Sequence, residues 1–163
     1  EGVRWTSLLG DAWQVENLGE NGREIPVSDF AVRVLLGQIS ARLPADGLCV
    51  MLGTNDLLCG ASPAETARRM EGFLDRLRDC DLPLLLVAPP LMQRGAWVES
   101  EALLENARAL APLYREPAER CGAFFCDTAA WDIPVVFDGV HFSEDGHRRF
   151  AKQMQRVLDT VFR

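Results

Sequence analysis

Asp138 and His141 stand three residues apart in Asp138-Gly139-Val140-His141, a spacing that can do proton chemistry. A histidine acting as general base needs its Nδ1 proton held by an acceptor, so that Nε2 faces the group it deprotonates. An aspartate three positions earlier in a turn supplies that acceptor locally. The competing reading is an Asp-Gly turn followed by a histidine packed near a helix start. Far upstream, Gly53-Thr54-Asn55-Asp56 ends an apolar run. A side-chain amide at such a strand mouth can donate to a developing oxyanion, an interaction worth roughly 10²–10³ in rate. Asn55 can equally cap the strand end, and Asp56 reads as a structural hydrogen-bonder within its own loop. Asn17-Leu18-Gly19-Glu20-Asn21-Gly22 is a glycine-rich turn where Gly19 can offer a backbone N–H. An oriented imidazole and oxyanion donors are most of what acyl transfer needs; the missing part is a nucleophile.

These residues must be held by secondary structure, and the chain reads as alternating strands and helices. Trp13 to Asn17 alternates like a short strand. Asp29 to about Arg42 carries Phe30, Val34, Leu35 and Ile39 at helical spacing, with Ser28 or Asp29 as cap. Gly47 to Leu52 is a buried strand. Ser62-Pro63-Ala64-Glu65 sets a cap, an N1 proline and a capping-box glutamate in register for a helix to about Cys80. Leu84 to Ala88 is the clearest buried strand, stopped by Pro89-Pro90. A helix from about Ser100 to Arg120, a last strand from Ala123 to Asp127, and a final helix capped by Ser143 complete the order. That helix places Phe150, Met154, Val157 and Leu158 on one face. Apolar strands separated by helices predict a parallel sheet covered on both faces. In such sheets functional groups gather beyond the carboxyl ends of the strands, where Gly19, Asn55, Pro89 and the His141 loop all fall.

With 163 residues and no repeat or linker, residues 1–163 read as one α/β domain. A net charge of −7 leaves no basic stripe for nucleic acid or an anionic membrane surface. No apolar stretch reaches transmembrane length. Five cysteines without a C-x-x-C pair read as reduced thiols and point to the cytoplasm, with Cys49 and Cys126 as small hydrophobes inside strands.

The three segments, in this order, resemble the SGNH (GDSL) hydrolase family. Gly19 matches the family's second-block glycine, Asn55 its third-block asparagine, and Asp138 with His141 the last block's Asp-x-x-His. The likeness runs from about Trp5 to Leu158. It implies a three-layer α/β/α sandwich with a flavodoxin-like parallel sheet. It also implies a serine esterase that needs no cofactor or metal and acts on a small-molecule ester. Asp138 and His141 would be catalytic, and Gly19 and Asn55 would form the oxyanion hole. Trp97, Trp131 and Phe137 would make an apolar wall of the acyl pocket, the competing reading being aromatic residues that simply pack.

One block is absent. The family's Gly-Asp-Ser, which carries the nucleophile after the first strand, has no match between Glu1 and Gly19. Ser7, Ser28, Ser40, Ser62 and Ser100 do not follow a strand as required, and Ser143 is a cap. In the fold implied by the resemblance, the missing strand is central, between those ending at Asn17 and Leu52. Leaving two buried strand edges unpaired would cost about 1–3 kcal/mol per polar group, in a domain stable by only about 5–15 kcal/mol. Roughly 20–40 residues (a strand, a turn and part of a helix) are therefore expected ahead of Glu1.

Three rivals follow. Cys59 could act as a thiolate nucleophile with His141. A metal hydrolase is disfavoured because the chain has only two histidines, one of them, His147, expected on the exposed face of the last helix. A non-catalytic relative could bind acyl or sugar esters without the serine. The sequence does not set the oligomeric state.

Overall fold

In a computed structural model of the chain, residues 3–163 are described. Three parallel strands form the sheet in the order β1 (Leu48–Val50), β2 (Leu84–Ala88), β3 (Phe124–Asp127). Leu48 pairs with Leu84 and Val50 with Leu86, while Leu85 pairs with Phe124 and Ala88 with Asp127. The helix α1 (Asp29–Ser40) precedes β1, α2 (Thr54–Leu58) and α3 (Pro63–Leu77) join β1 to β2, α4 (Glu101–Arg120) joins β2 to β3, and α5 (Glu144–Val161) follows β3.

β2 explains why the sheet is sandwiched. All five of its residues are buried, and they alternate between two cores. Leu84, Leu86 and Ala88 face the core built with α1, α3 and α4. Leu85 and Val87 face a second core with Cys126, Ile133 and the Phe150, Met154 and Leu158 stripe of α5. Each of those three α5 side chains contributes about 1.5–3 kcal/mol by leaving water. The expected three-layer α/β/α arrangement is what the structure has. Ser28, Ser62, Ser100 and Ser143 each accept a backbone N–H at the start of a long helix. The capping box at Ser62 is half made: Ser62 Oγ accepts from Glu65 N, but the Glu65 carboxylate turns to Arg68 and Arg69. α4 stays helical through Pro112 and Pro117, each costing about 3 kcal/mol, because Leu110, Ala111, Tyr114 and Ala118 are buried along it.

Four expectations need correction. Trp13 to Asn17 forms no strand: Trp13 is extended, but no ladder partner lies beside it among the described residues. Trp13 instead packs edge-on against Phe162 and donates its indole N–H to Asp159. In α1, Val32, Leu35 and Ile39 face the core, while Phe30 and Val34 point outward. Cys49 is exposed rather than buried, on the edge strand of the sheet. His147 is half-buried: its Nδ1 accepts the Trp5 N–H at 3.3 Å and its ring packs on Phe142. Among the described residues nothing pairs with the outer edge of β1, and no helix is long and apolar enough to cross a membrane.

Candidate active site

The loop after β3 builds the acid–histidine pair. Asp138 is buried, and its Oδ1 accepts the backbone N–H of Val140 at 2.8 Å and of His141 at 2.9 Å. Its Oδ2 lies 2.8 Å from His141 Nδ1. Burial pulls the Asp138 carboxyl upward, but the two backbone donors and His141 outweigh it, so the group sits below the ordinary aspartate value. An ionised Asp138 accepts the Nδ1 proton and leaves Nε2 as the free lone pair, the tautomer a general base needs. The His141 side chain is 60% exposed, so Nε2 is accessible.

A second loop, after β2, is sewn onto this turn mainly through backbone hydrogen bonds. Gln93 N donates to Gly139 O at 2.9 Å, Ala96 N to Phe137 O at 3.0 Å and Trp97 N to Asp138 O at 3.0 Å. The approach is so close that a Cβ on Gly95 would strike the Asp138–Gly139 peptide, and one on Gly139 (φ +84°) the carbonyl of Gln93. Gln93 Nε2 adds a bond to Ile133 O. The Trp97 indole, more than half exposed, stands edge-on to His141 with ring centroids 5.2 Å apart. Phe137 projects into solvent beside it. Trp131 packs on Phe150 instead, in the core beneath α5. Of the three expected pocket residues, only Trp97 touches the His141 ring.

The oxyanion candidates lie on the other side of the sheet's carboxyl end. Gly53 turns the chain from β1 into α2 at φ +119°, and a Cβ there would collide with the Tyr114 hydroxyl, which donates to Leu52 O at 3.0 Å. Burial, then the nearby Asp56 charge, pushes the Tyr114 phenol well above its ordinary value. Asn55 opens α2 and donates one amide hydrogen from Nδ2 to Arg23 O at 2.9 Å. Its second amide hydrogen has no acceptor among the described residues. Gly19 is exposed, and its N–H donates to Asn17 Oδ1 at 2.9 Å. Asp56 does not bond within its loop: it reaches the Ile25 N–H at 3.1 Å and Arg69 at 3.0 Å.

Four of the six serines are helix caps, and none of the six hydrogen-bonds His141 among the described residues. Cys59, at the end of α2, has its thiol raised above the ordinary value by desolvation and then by the Glu24 carboxylate, the reverse of an activated thiolate. Among the described residues no three His, Cys, Asp or Glu side chains gather as metal ligands.

The sequence model of the GDSL-like Lipase/Acylhydrolase family matches residues 1–149. The chain belongs to this family. Solved structures agree on the fold. The native aryl esterase of M. smegmatis superposes with a TM-score of 0.85 at 21% identity, covering 98% of this chain and 86% of that one. Est24, a carbohydrate acetylesterase from Sinorhizobium meliloti, gives 0.84 at 23% identity, with the same coverage of 98% and 86%. No curated protein matches the sequence. For this GDSL-family chain, sequence reasoning missed Gln93, Gly95, Tyr114 and Arg69. The Gly95 and Gly139 contacts join loops over forty residues apart, so no local pattern announces them.

Proposed function

We propose that this GDSL-family protein hydrolyses a small carboxylic ester through an acyl-enzyme. The observation that carries the reading is the Asp138–His141 pair, with a 2.8 Å contact on Nδ1 and an exposed ring edge. A serine from residues ahead of Glu1, on a strand along the open edge of β1, would attack the ester carbonyl. His141 Nε2 takes its proton as the Oγ–C bond forms, then returns it to the alcohol as the old C–O bond breaks. Water, deprotonated by the same nitrogen, then releases the acid and regenerates the serine. Asp138 keeps the tautomer and stabilises the imidazolium. Asn55 Nδ2, with its second hydrogen, and the Gly19 N–H, displaced from Asn17, would hold the oxyanion beside the serine's own N–H.

The two similar structures are an aryl esterase and a carbohydrate acetylesterase, which makes aryl acetates and acetylated sugars the first substrates to try. Trp97 beside His141 suits a flat or ring-shaped leaving group. Five free cysteines support a reducing compartment such as the cytoplasm. The test is labelling with a fluorophosphonate on protein expressed from its complete reading frame, with peptide mapping. A label on a serine ahead of Glu1, together with at least about 10⁴-fold loss of p-nitrophenyl acetate turnover in His141→Ala, is the expected result. No label and no turnover would make it a non-catalytic member of its family.

A further inference from the structure

Asp56 is wholly buried and charged, yet the acyl-transfer scheme gives it nothing to do. Its two oxygens divide their work. Oδ2 accepts the Ile25 N–H at 3.1 Å, and Oδ1 accepts from Arg69 Nη1 at 3.0 Å. The same Nη1 reaches Glu24 Oε2 at 3.2 Å, while Arg69 Nε donates to Glu65 Oε1 at 3.2 Å. One residue before Asp56, Asn55 Nδ2 holds Arg23 O. Three consecutive residues, Arg23, Glu24 and Ile25, are thus each tied to α2 or α3. They follow Gly19 on the same irregular segment.

We propose that Asp56 and Arg69 are positioning residues for the oxyanion donors, fixing the segment that carries Gly19 against the helix that carries Asn55. The inference rests on the acyl-transfer reading. It is carried by the direction of the bonds. Asn55 is oriented by a carbonyl on the Gly19 segment, and that segment is held in place by the residue following Asn55. Movement of Arg23 to Ile25 would therefore turn the Asn55 amide as well as shift Gly19. A planar guanidinium with several donors fixes three carboxylates at once, which a lysine cannot do. Asp56 and Glu65 also hold Arg69 above its ordinary value, so its charge is present throughout the working pH range. Donors must meet the oxyanion within tenths of an ångström, and a misplacement of about 1 Å costs on the order of 10² in rate.

The test uses protein from the complete reading frame, with p-nitrophenyl acetate turnover and amide hydrogen exchange as parallel readouts. Arg69→Met is expected to lower kcat by roughly 10–10²-fold with KM held within about twofold, and Arg69→Lys to recover part of the loss. In an Asn55→Ala background, where only the Gly19 donor is left to be displaced, Arg69→Met is expected to cost at least about threefold less than it does in the parent. A merely structural role predicts additive losses, and additivity would overturn the proposal, as would a change confined to KM. Exchange of the Leu18 to Ile25 amides should accelerate in Arg69→Met and in Asp56→Asn. Unchanged exchange in these folded variants would also overturn it. If Arg69→Met does not fold, Arg69→Lys carries the same comparisons. A parent protein without turnover would refute the esterase reading alone, and the exchange readout would still decide the positioning.

Discussion

The two sides of the candidate site are fastened by opposite means. On the base side, Asp138 to His141 is laced to residues 93–97 by backbone hydrogen bonds, with two glycines allowing the chains to touch. On the oxyanion side, the Gly19 segment has no ladder partner among the described residues, and side chains reaching across from α2 and α3 hold it: Asn55, Asp56 and Arg69. Backbone lacing tolerates changes of polar side chain but no added Cβ. Side-chain anchoring reverses that sensitivity. The general base thus belongs to the stiffer half of the site, and the groups that meet the developing charge belong to the half that substitution can most easily loosen.

The largest effect expected from this contrast is on rate. Asn55→Ala should lower kcat by about 10²–10³ with little change in KM, because the amide acts on the transition state rather than on bound ester. Steady-state kinetics check this, and a rise confined to KM would erase the distinction between the two halves. Next comes Gly95→Ala. The new methyl meets the Asp138–Gly139 peptide and should cost about 1–3 kcal/mol, read as a fall in Tm of roughly 2–12 °C. An unaltered Tm would mean that the lacing is loose.

The smallest effect concerns the support behind the base. His147 is held below its ordinary value, first by burial and then by the Arg4 charge. The unfolded chain therefore binds this proton more readily than the folded one. The associated stability is present above about pH 6.5 and lost as pH falls through the lower folded value. His147→Gln, which keeps an acceptor for the Trp5 N–H, should show a shallower fall in Tm between pH 7.5 and 5. Parallel slopes for the two proteins would exclude His147 as the titrating support.

What the sequence made legible follows the same division. Asp138 and His141 meet through three residues of chain, so their spacing was enough to find them. Leu84 to Ala88 is apolar throughout because both faces are buried, and caps at Ser28, Ser62 and Ser143 announce three helices, while the cap at Ser100 emerges only from the structure. The oxyanion side resisted because its bonds are long-range: Asp56 to Ile25 spans thirty-one residues and Arg69 to Glu24 forty-five. Trp13 to Asn17 has the alternation of a strand, but alternation sets which side chains face which way and does not supply a partner. In α1, Phe30 and Val34 fit one helical stripe and Val32, Leu35 and Ile39 another, and only packing chooses between them. Trp131 illustrates the same limit, since its distance along the chain from His141 said nothing of the Phe150 ring it covers.

Tyr114 is the chain's single tyrosine, and its hydroxyl is fastened to the carbonyl just before Gly53. That makes the phenol a spectroscopic gauge built into the oxyanion side. Because burial holds its ionisation far above the ordinary range, phenolate absorbance on raising the pH will follow the opening of the Gly53 turn rather than the acidity of the ring. An optical titration, with no label attached, therefore reads the exposure of the one phenol that is tied to that turn.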